Sequence, residues 1–353
     1  MSPWRRGRGA LLAAVVVLWP RTCDLFAFCG GVKRVQRLGQ HLAATSQWLP
    51  VASTPALEPA DDATVLPVFP LSSVYWPGSE ATLQIIDPAY RKMYDDILMS
   101  GSRRFVVTFT RSLPGGRVRY AEMPEEDRRL FEIGTVLYLT DLEEVSSQTG
   151  GQVKYVAKHE VQDRAQLVRL LNPSALFETD SKGNKINYLK AEVRLLPSEE
   201  ENTGEETWRG DLLDTWRQLQ VLSHQFQEPH LAGSFFSSVA PNVSSWVLAA
   251  AWQQLRVATQ VKRLQKQAME DVKQYIESGD FKSLTQEEAL KKLPPGLLRR
   301  LSGQVDLDQD FWLALLEILS ADSAQQRGEK LAELVEAELK LSRTRFALKQ
   351  ALN

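Results

Sequence analysis

From Thr64 to about Pro197, apolar residues come in short β-type runs separated by turn residues. The runs Val65 to Phe69, Ala81 to Ile86, Arg104 to Thr110, Ile133 to Thr140, Val153 to His159 and Tyr188 to Leu195 are each bounded by Pro, Gly, Asp or Ser, which predicts strands. Gly115-Gly116, Gly150-Gly151 and Lys182-Gly183-Asn184 supply positive-φ positions for chain reversal. The uneven spacing of the runs predicts a curled sheet or partial barrel. One helix interrupts them. Asp87 is placed to cap it, Pro88 takes the first helical position and Gly101 the closing one, while Tyr90, Met93, Tyr94, Ile97 and Leu98 fall on one face. Such a helix is expected to lie across a barrel mouth or a sheet face.

Beyond Leu212 the period changes to 3.6. Val243 to Ser278 reads as one long helix, with Trp252, Leu255, Ala258, Val261, Leu264, Ala268, Val272 and Tyr275 stepping by three or four. Thr285 and Glu288 form a capping box for a short helix that Pro294-Pro295 ends. Phe311 to Leu319 is apolar nearly all round and is expected at the centre of a bundle, and Leu331 to Leu348 marks a final amphipathic helix. Between the halves, Ser198 to Asp211 holds five glutamates and reads as a linker with only Trp208 to bury. The expected fold class is therefore α+β. Its division is a presequence (1–60), a β domain (61–197), an acidic linker (198–211) and an α-helical domain (212–353).

Length and composition agree with this picture: 353 residues, 43% hydrophobic and 24% charged, suit about two globular domains. The net charge of −2 hides an asymmetry. Residues 1–60 hold seven basic and two acidic residues, a net of +5, so the remainder carries −7. That acidic body argues against nucleic acid as a partner. Arg5, Arg6 and Arg8 precede the apolar run Ala10 to Trp19, which Pro20 breaks at about half the length a membrane span needs. This fits a secretory signal, and no stable span is expected in the mature form. Phe26-Ala27-Phe28, then Lys33, Arg34 and Arg37 in a stretch without acidic residues, resemble the transit segment of bipartite plastid presequences. Plastid import is expected, with a mature start between residues 45 and 62; the alternative is secretion.

The chemistry is sparse. Both cysteines, Cys23 and Cys29, fall in the basic segment, so the body beyond residue 60 has no thiol for disulfides, nucleophiles or thiolate zinc. No phosphate-binding Gly-x-x-x-x-Gly-Lys-Ser/Thr loop or Gly-x-Ser-x-Gly elbow occurs. His159-Glu160 begins like a zinc-protease helix, but Asp163 holds the second ligand position and the segment reads as a strand end. No catalytic residue, metal ligand or cofactor site is expected. Lys262, Arg263 and Lys266 read as a solvated helix face, and the tryptophans beyond residue 200 as bundle core.

Val65-Leu66-Pro67-Val68-Phe69-Pro70-Leu71, then Trp76-Pro77-Gly78, then Leu83 to Tyr90 through Asp87-Pro88-Ala89, resemble the opening of the Lon protease amino-terminal domain. Trp76 stands for that family's phenylalanine, Asp87 for its glutamate and Ala89 for its arginine. Phe105-Val106-Val107, Ile133 to Val136 and Tyr188 to Val193 continue the resemblance. Lys158-His159-Glu160-Val161 departs from the family's Gly-x-x-Arg-Phe segment. The resemblance implies a PUA-like β pseudo-barrel with a cap helix, followed by helices, in a module that recognises unfolded or tagged polypeptides. Stand-alone plastid proteins of this kind are similar in carrying a helical extension, here with Phe311-Trp312 and Arg343 to Leu348. The ATPase and Ser/Lys protease modules of Lon proteases are not expected in this chain.

The function expected is a non-catalytic adaptor that binds a protein or unfolded polypeptide, with the helices as a second contact or self-association surface. Tyr75, Trp76 and the loop from Arg111 to Tyr120 are the candidate binding residues. The alternatives are an enzyme with a site assembled only by the fold, and an RNA-binding PUA-like protein.

Overall fold

Among the described residues seven strands form one curled sheet, part of which closes into a barrel, and their order explains why the runs are unevenly spaced. The computed structural model describes residues 48–51, 62–111, 123–181, 183–196, 207–225, 243–278, 293–294, 296–297 and 309–352. The strands are β1 (Trp48–Pro50), β2 (Thr64–Leu71), β3 (Glu80–Ile85), β4 (Arg104–Thr110), β5 (Arg129–Glu144), β6 (Tyr155–Leu170) and β7 (Leu189–Leu196). They pair in the order β1-β5-β4-β2-β7-β6-β3, and a further β5–β6 pairing closes β5, β4, β2, β7 and β6 into a five-stranded barrel. β2 and β4 pair in parallel and the other pairs are antiparallel. A parallel pair needs a crossover, and here it carries β3 and the cap helix.

β5 and β6 run 16 residues each and serve two parts of the sheet. Register shifts at Thr135/Leu137 and Leu139/Asp141 let them bend as they do so. Where β5 crosses β4 the backbones nearly touch, since a Cβ on Gly134 would lie 2.6 Å from the Val107 carbonyl oxygen. β6 extends well past the expected Val153 to His159 run. Its polar residues find partners in the fold: Gln166 donates to Glu132, Arg169 pairs with Glu192, and Arg164 reaches the helices.

Val68, Val106, Val136, Ala165, Leu167, Ala191 and Val193, drawn from all five barrel strands, pack together in the lumen. The opposite faces of β2 and β4 present Phe69, Phe105 and Val107 to α1 (Pro88–Met99). That helix forms as its sequence requires. Asp87 Oδ1 accepts from the Ala89 N–H, Pro88 opens the first turn, and Gly101 follows the end at φ +73°. Ala89, Tyr90, Met93, Tyr94 and Ile97 are its buried stripe.

Under α1 lies a sealed polar pair. His159 Nε2 is 2.7 Å from the Tyr94 hydroxyl and Nδ1 is 3.1 Å from the Ala81 carbonyl. A carbonyl only accepts, so Nδ1 carries the proton and Nε2 accepts from Tyr94. Burial lowers the His159 pKa to about 4, against the opposing bond to Ala81, and raises that of Tyr94.

The carboxy-terminal helices are α2 (Thr207–Gln225), α3 (Ser245–Ser278), α4 (Gln309–Ser320) and α5 (Ala324–Leu352). Trp76, Phe109 and Phe131 of the barrel share one buried cluster with Trp208, Trp216, Trp252 and Trp312 of the helices. The helices thus pack around a core drawn largely from their own side chains, and that core continues onto the outside of the barrel. α2 begins inside the stretch expected as a linker, because Trp208 is buried against α5 at Gly328, where a Cβ would come within 2.0 Å of the indole. β1 lies in the stretch expected as presequence: Trp48 packs edge-on against Phe131 and the Val51 N–H bonds the Arg128 carbonyl. The short helix expected after Thr285, and the signal and transit segments before Trp48, fall outside the described residues. Among the described residues no helix is long and apolar enough to cross a membrane.

Two outcomes follow from these buried polar contacts. Trp76→Phe leaves Gln253 Oε1 in the core without the indole N–H that donates to it at 2.6 Å, and is expected to lower unfolding free energy by about 1–3 kcal/mol, read as a reduced urea midpoint. Because the unfolded histidine takes up a proton near pH 6.5 and the folded one only near 4, the stability His159 contributes is present above about 6.5 and lost as pH falls toward 4. The loss is on the order of 3 kcal/mol, and urea titrations of the His159→Gln variant should show a shallower decline across that window than the parent.

Candidate functional site

The expected binding residues lie in three different settings. Trp76 is only 2% exposed: its indole donates to Gln253 on α3, and Gln253 Nε2 donates back to the Val74 carbonyl at 3.1 Å. The reading of Trp76 as an exposed contact is therefore corrected; the loop that carries it is covered by α3. Tyr75 is half-buried, packed against the cap-helix core, and burial raises its hydroxyl pKa. Tyr120 lies outside the described residues, and of its loop Arg111 is seen, paired with Asp127 and set over the Trp48 ring.

A surface that sequence reasoning missed forms where the start of α1 meets the segment from Pro173 to Tyr188. The chain turns there through a 3-10 helix at Pro173–Leu176 and a bridge between Thr179 and Lys185. The turn closes on itself: Asp180 Oδ1 accepts from the Asn184 N–H, and Gly183 takes φ +80°. It is then clamped to the cap helix. Lys92 Nζ donates to Asn187 Oδ1 at 3.0 Å, Asn187 Nδ2 donates to Glu178 at 3.0 Å, and the Tyr188 hydroxyl donates to Asp96 at 2.7 Å.

Lys185 rests in this clamp with Nζ 5.6 Å from the Tyr90 ring centroid, and Tyr90 stacks on Phe69 at 3.8 Å. Burial lowers the Lys185 pKa while the Asp87 carboxylate opposes the shift. Burial likewise raises the pKa of Asp87, against the bond from Ala89 and the charges of Lys185 and Arg91. Ile86 and Ile186, the chain neighbours of Asp87 and Lys185, are 54% and 49% exposed. The result is a patch in which two partly desolvated opposite charges, Asp87 and Lys185, lie beside isoleucines left to solvent in the chain. The sequence signal for it was the Ile85-Ile86-Asp87-Pro88 junction, where a second isoleucine breaks the strand's alternation just past its last pairing.

This chemistry suits binding rather than turnover. The Asp87 carboxylate is engaged in capping α1. Tyr94 and His159 have proton-relay geometry, yet they are 0% and 1% exposed, so no substrate reaches them. Among the described residues no group of three or more His, Cys, Asp or Glu is placed to hold a metal ion.

No family model matches the chain, and no curated protein matches it. Solved structures do. The chain is similar to a Lon N-terminal domain protein from Xanthomonas campestris, at 21% identity and a TM-score of 0.29, covering 43% of this chain and 72% of that one. It is also similar to the N-terminal domain of a Mycobacterium avium complex Lon protease, at 12% identity and a TM-score of 0.33, covering 68% and 98%. With likenesses of that size, the α+β pseudo-barrel rests on its own strand order and register, and what the chain is similar to is the amino-terminal domain of Lon proteases.

Proposed function

We propose that the protein is a non-catalytic adaptor that binds unfolded or partner polypeptide through the cap-helix face of its barrel. The observation that carries this reading is that exposed Ile86 and Ile186 adjoin in sequence the partly desolvated opposite charges Asp87 and Lys185. Apolar side chains held on a rigid frame gain binding energy without ordering cost, and the half-buried charges give a passing backbone something to orient against. The resemblance of the barrel sequence to the Lon amino-terminal domain supports the same assignment, because that module serves polypeptide recognition there. A role in organellar protein quality control, reached by import into a plastid, extends the reading and draws on the basic leader.

Two measurements bear on it. Anisotropy of a labelled, permanently unfolded polypeptide should report saturable binding that weakens about tenfold or more in the Ile86→Asp/Ile186→Asp variant, since losing two apolar contacts of about 1 kcal/mol each and adding charge exceeds 1.4 kcal/mol. Unchanged affinity in a variant with an unchanged thermal midpoint contradicts the reading. For import, Trp48 and Val51 are built into the sheet, so processing should leave an amino terminus no later than Trp48. Amino-terminal mass spectrometry of the imported protein that finds a start at residues 52–62 contradicts this boundary.

A further inference from the structure

The edge of the sheet at β3 carries unassigned chemistry in its backbone. β3 is an end strand, paired with β6 on one side and with no strand on the other among the described residues. The phase of that pairing is fixed at its start, where the Gly78 N–H donates to the Val161 carbonyl at 2.8 Å and the Val161 N–H to the Ser79 carbonyl at 2.9 Å. Backbone groups in an antiparallel ladder point alternately toward the partner and away from it, and the register runs from Glu80–Glu160 to Ile85–Tyr155 without a shift. Ser79, Ala81, Leu83 and Ile85 therefore bond toward β6, and the Lys154 N–H indeed reaches the Ile85 carbonyl at 3.0 Å. Glu80, Thr82 and Gln84 turn their N–H and C=O groups outward, and their side chains are exposed. Among the described residues no turn or loop backbone bonds those groups from the far side.

A row of this kind has one natural complement. Its donors and acceptors repeat every second residue, about 7 Å, which is the spacing of the main chain in another extended segment and the reason open strand edges recruit polypeptide. Edges are often blunted by a proline, a bulge or an inward-pointing charge. β3 has none of these between Glu80 and Ile85, and its inward side chains are Ala81, Leu83 and Ile85. Ile86, more than half exposed, follows directly beyond the last pairing, so the edge runs into the surface proposed above for polypeptide binding.

Charge decides between a second copy of this chain and a different polypeptide. Beside β3 the exposed face is acidic: Glu160 lies level with Glu80, and Lys158, level with Thr82, pairs with Asp141 of β5 at 2.9 Å. That pairing first, then the charges of Glu143 and Glu80, raises the Lys158 pKa. Glu80, Glu160, Asp141 and Glu143 thus stand around one ammonium group. Two copies meeting edge to edge would set two such faces side by side, and like charges opposed across a ladder are unfavourable. A segment with lysine or arginine at alternate positions sets opposite charges against them. We propose that an extended, basic polypeptide segment adds to β3 as an antiparallel strand, bonded through the outward groups of Glu80, Thr82 and Gln84. The proposal rests on the polypeptide-binding reading above and specifies how the chain is held. Main-chain bonds serve any sequence, as an unfolded polypeptide requires, and the alternate side chains over the acidic face supply the preference.

The test uses the full chain and a fluorescein-labelled nine-residue peptide with lysine at even and threonine at odd positions, followed by anisotropy. In an antiparallel pairing the residues whose N–H groups meet β3 are those whose side chains lie beside Glu80, Thr82 and Gln84, so the lysines take both roles. Saturable binding is expected, reduced at least tenfold by backbone N-methylation of two lysines, which keeps their charge, and changed by less than about twofold by N-methylation of two threonines. Thr82→Pro removes an outward N–H that the ladder does not use, at an edge position where proline is tolerated, and should weaken binding at least tenfold, whereas Thr82→Ala keeps that N–H and should bind as the parent does. Equal effects of the two N-methylated peptides overturn the proposal, as does normal binding by Thr82→Pro. A dimer that dissociates on Thr82→Pro assigns the edge to a second copy and overturns it too. If Thr82→Pro still binds the labelled unfolded polypeptide while Ile86→Asp/Ile186→Asp releases it, the added strand is wrong and the cap-helix reading stands. A nine-residue peptide that does not bind overturns the proposal alone; an unfolded polypeptide that does not bind the parent overturns the reading beneath it as well.

Discussion

Everything in this fold depends on the contact that seals the outside of the barrel against the helices. A small barrel can fill its lumen from its own strands, but Trp76, Phe109 and Phe131 face outward, and burying each is worth roughly 2–3 kcal/mol only if something covers them. The helices supply that cover through Trp252 and Trp312, and polar groups fix the register of the contact. Trp76 and Gln253 exchange hydrogen bonds across the boundary. Arg164, on β6, donates to the carbonyls of Leu319 and Ala321 at the end of α4, where a helix leaves carbonyls unpaired and its dipole favours a cation. Trp246 lies between Arg164 and Arg327, and Arg327 in turn donates to Ser245. Removing the helices would strip the buried Arg164 of the carbonyls it donates to as well as expose aromatic surface.

That contact also separates what the sequence discloses from what it hides. β4 is legible because a continuous apolar run ends in clear breakers, and α1 because its cap, its proline and its stripe agree with one another. β6 is not, since Gln162, Asp163, Arg164, Gln166 and Arg169 interrupt the alternation, and Arg164, Gln166 and Arg169 belong in a strand only once their distant partners are known. Trp76 follows the same logic. Beside Pro77 and Gly78 it looks like a loop aromatic, and only Gln253, 177 residues away, makes it interior. Trp208 sits among glutamates and suggests a solvated linker; its place is set by Gly328, a glycine inside a helix where alanine would be the better helix former. β1 was hidden for another reason, as three residues carry too little pattern to compete with a basic leader.

The same comparison explains why the surfaces were harder to read than the core. Core positions announce themselves by period, whereas a binding patch is defined by what fails to be buried. Ile86 and Ile186 belong to segments about 100 residues apart, and it is the segments that carry them that the cap helix and the Asn187–Tyr188 turn clamp to one another.

Scanning calorimetry of the chain tests that dependence most directly. If the barrel and helices share one core, they melt in a single transition whose calorimetric and van't Hoff enthalpies agree. Two resolved transitions, with the barrel's circular-dichroism signal surviving loss of the helical one, would show that the sealing contact is dispensable and that the account built on it is wrong.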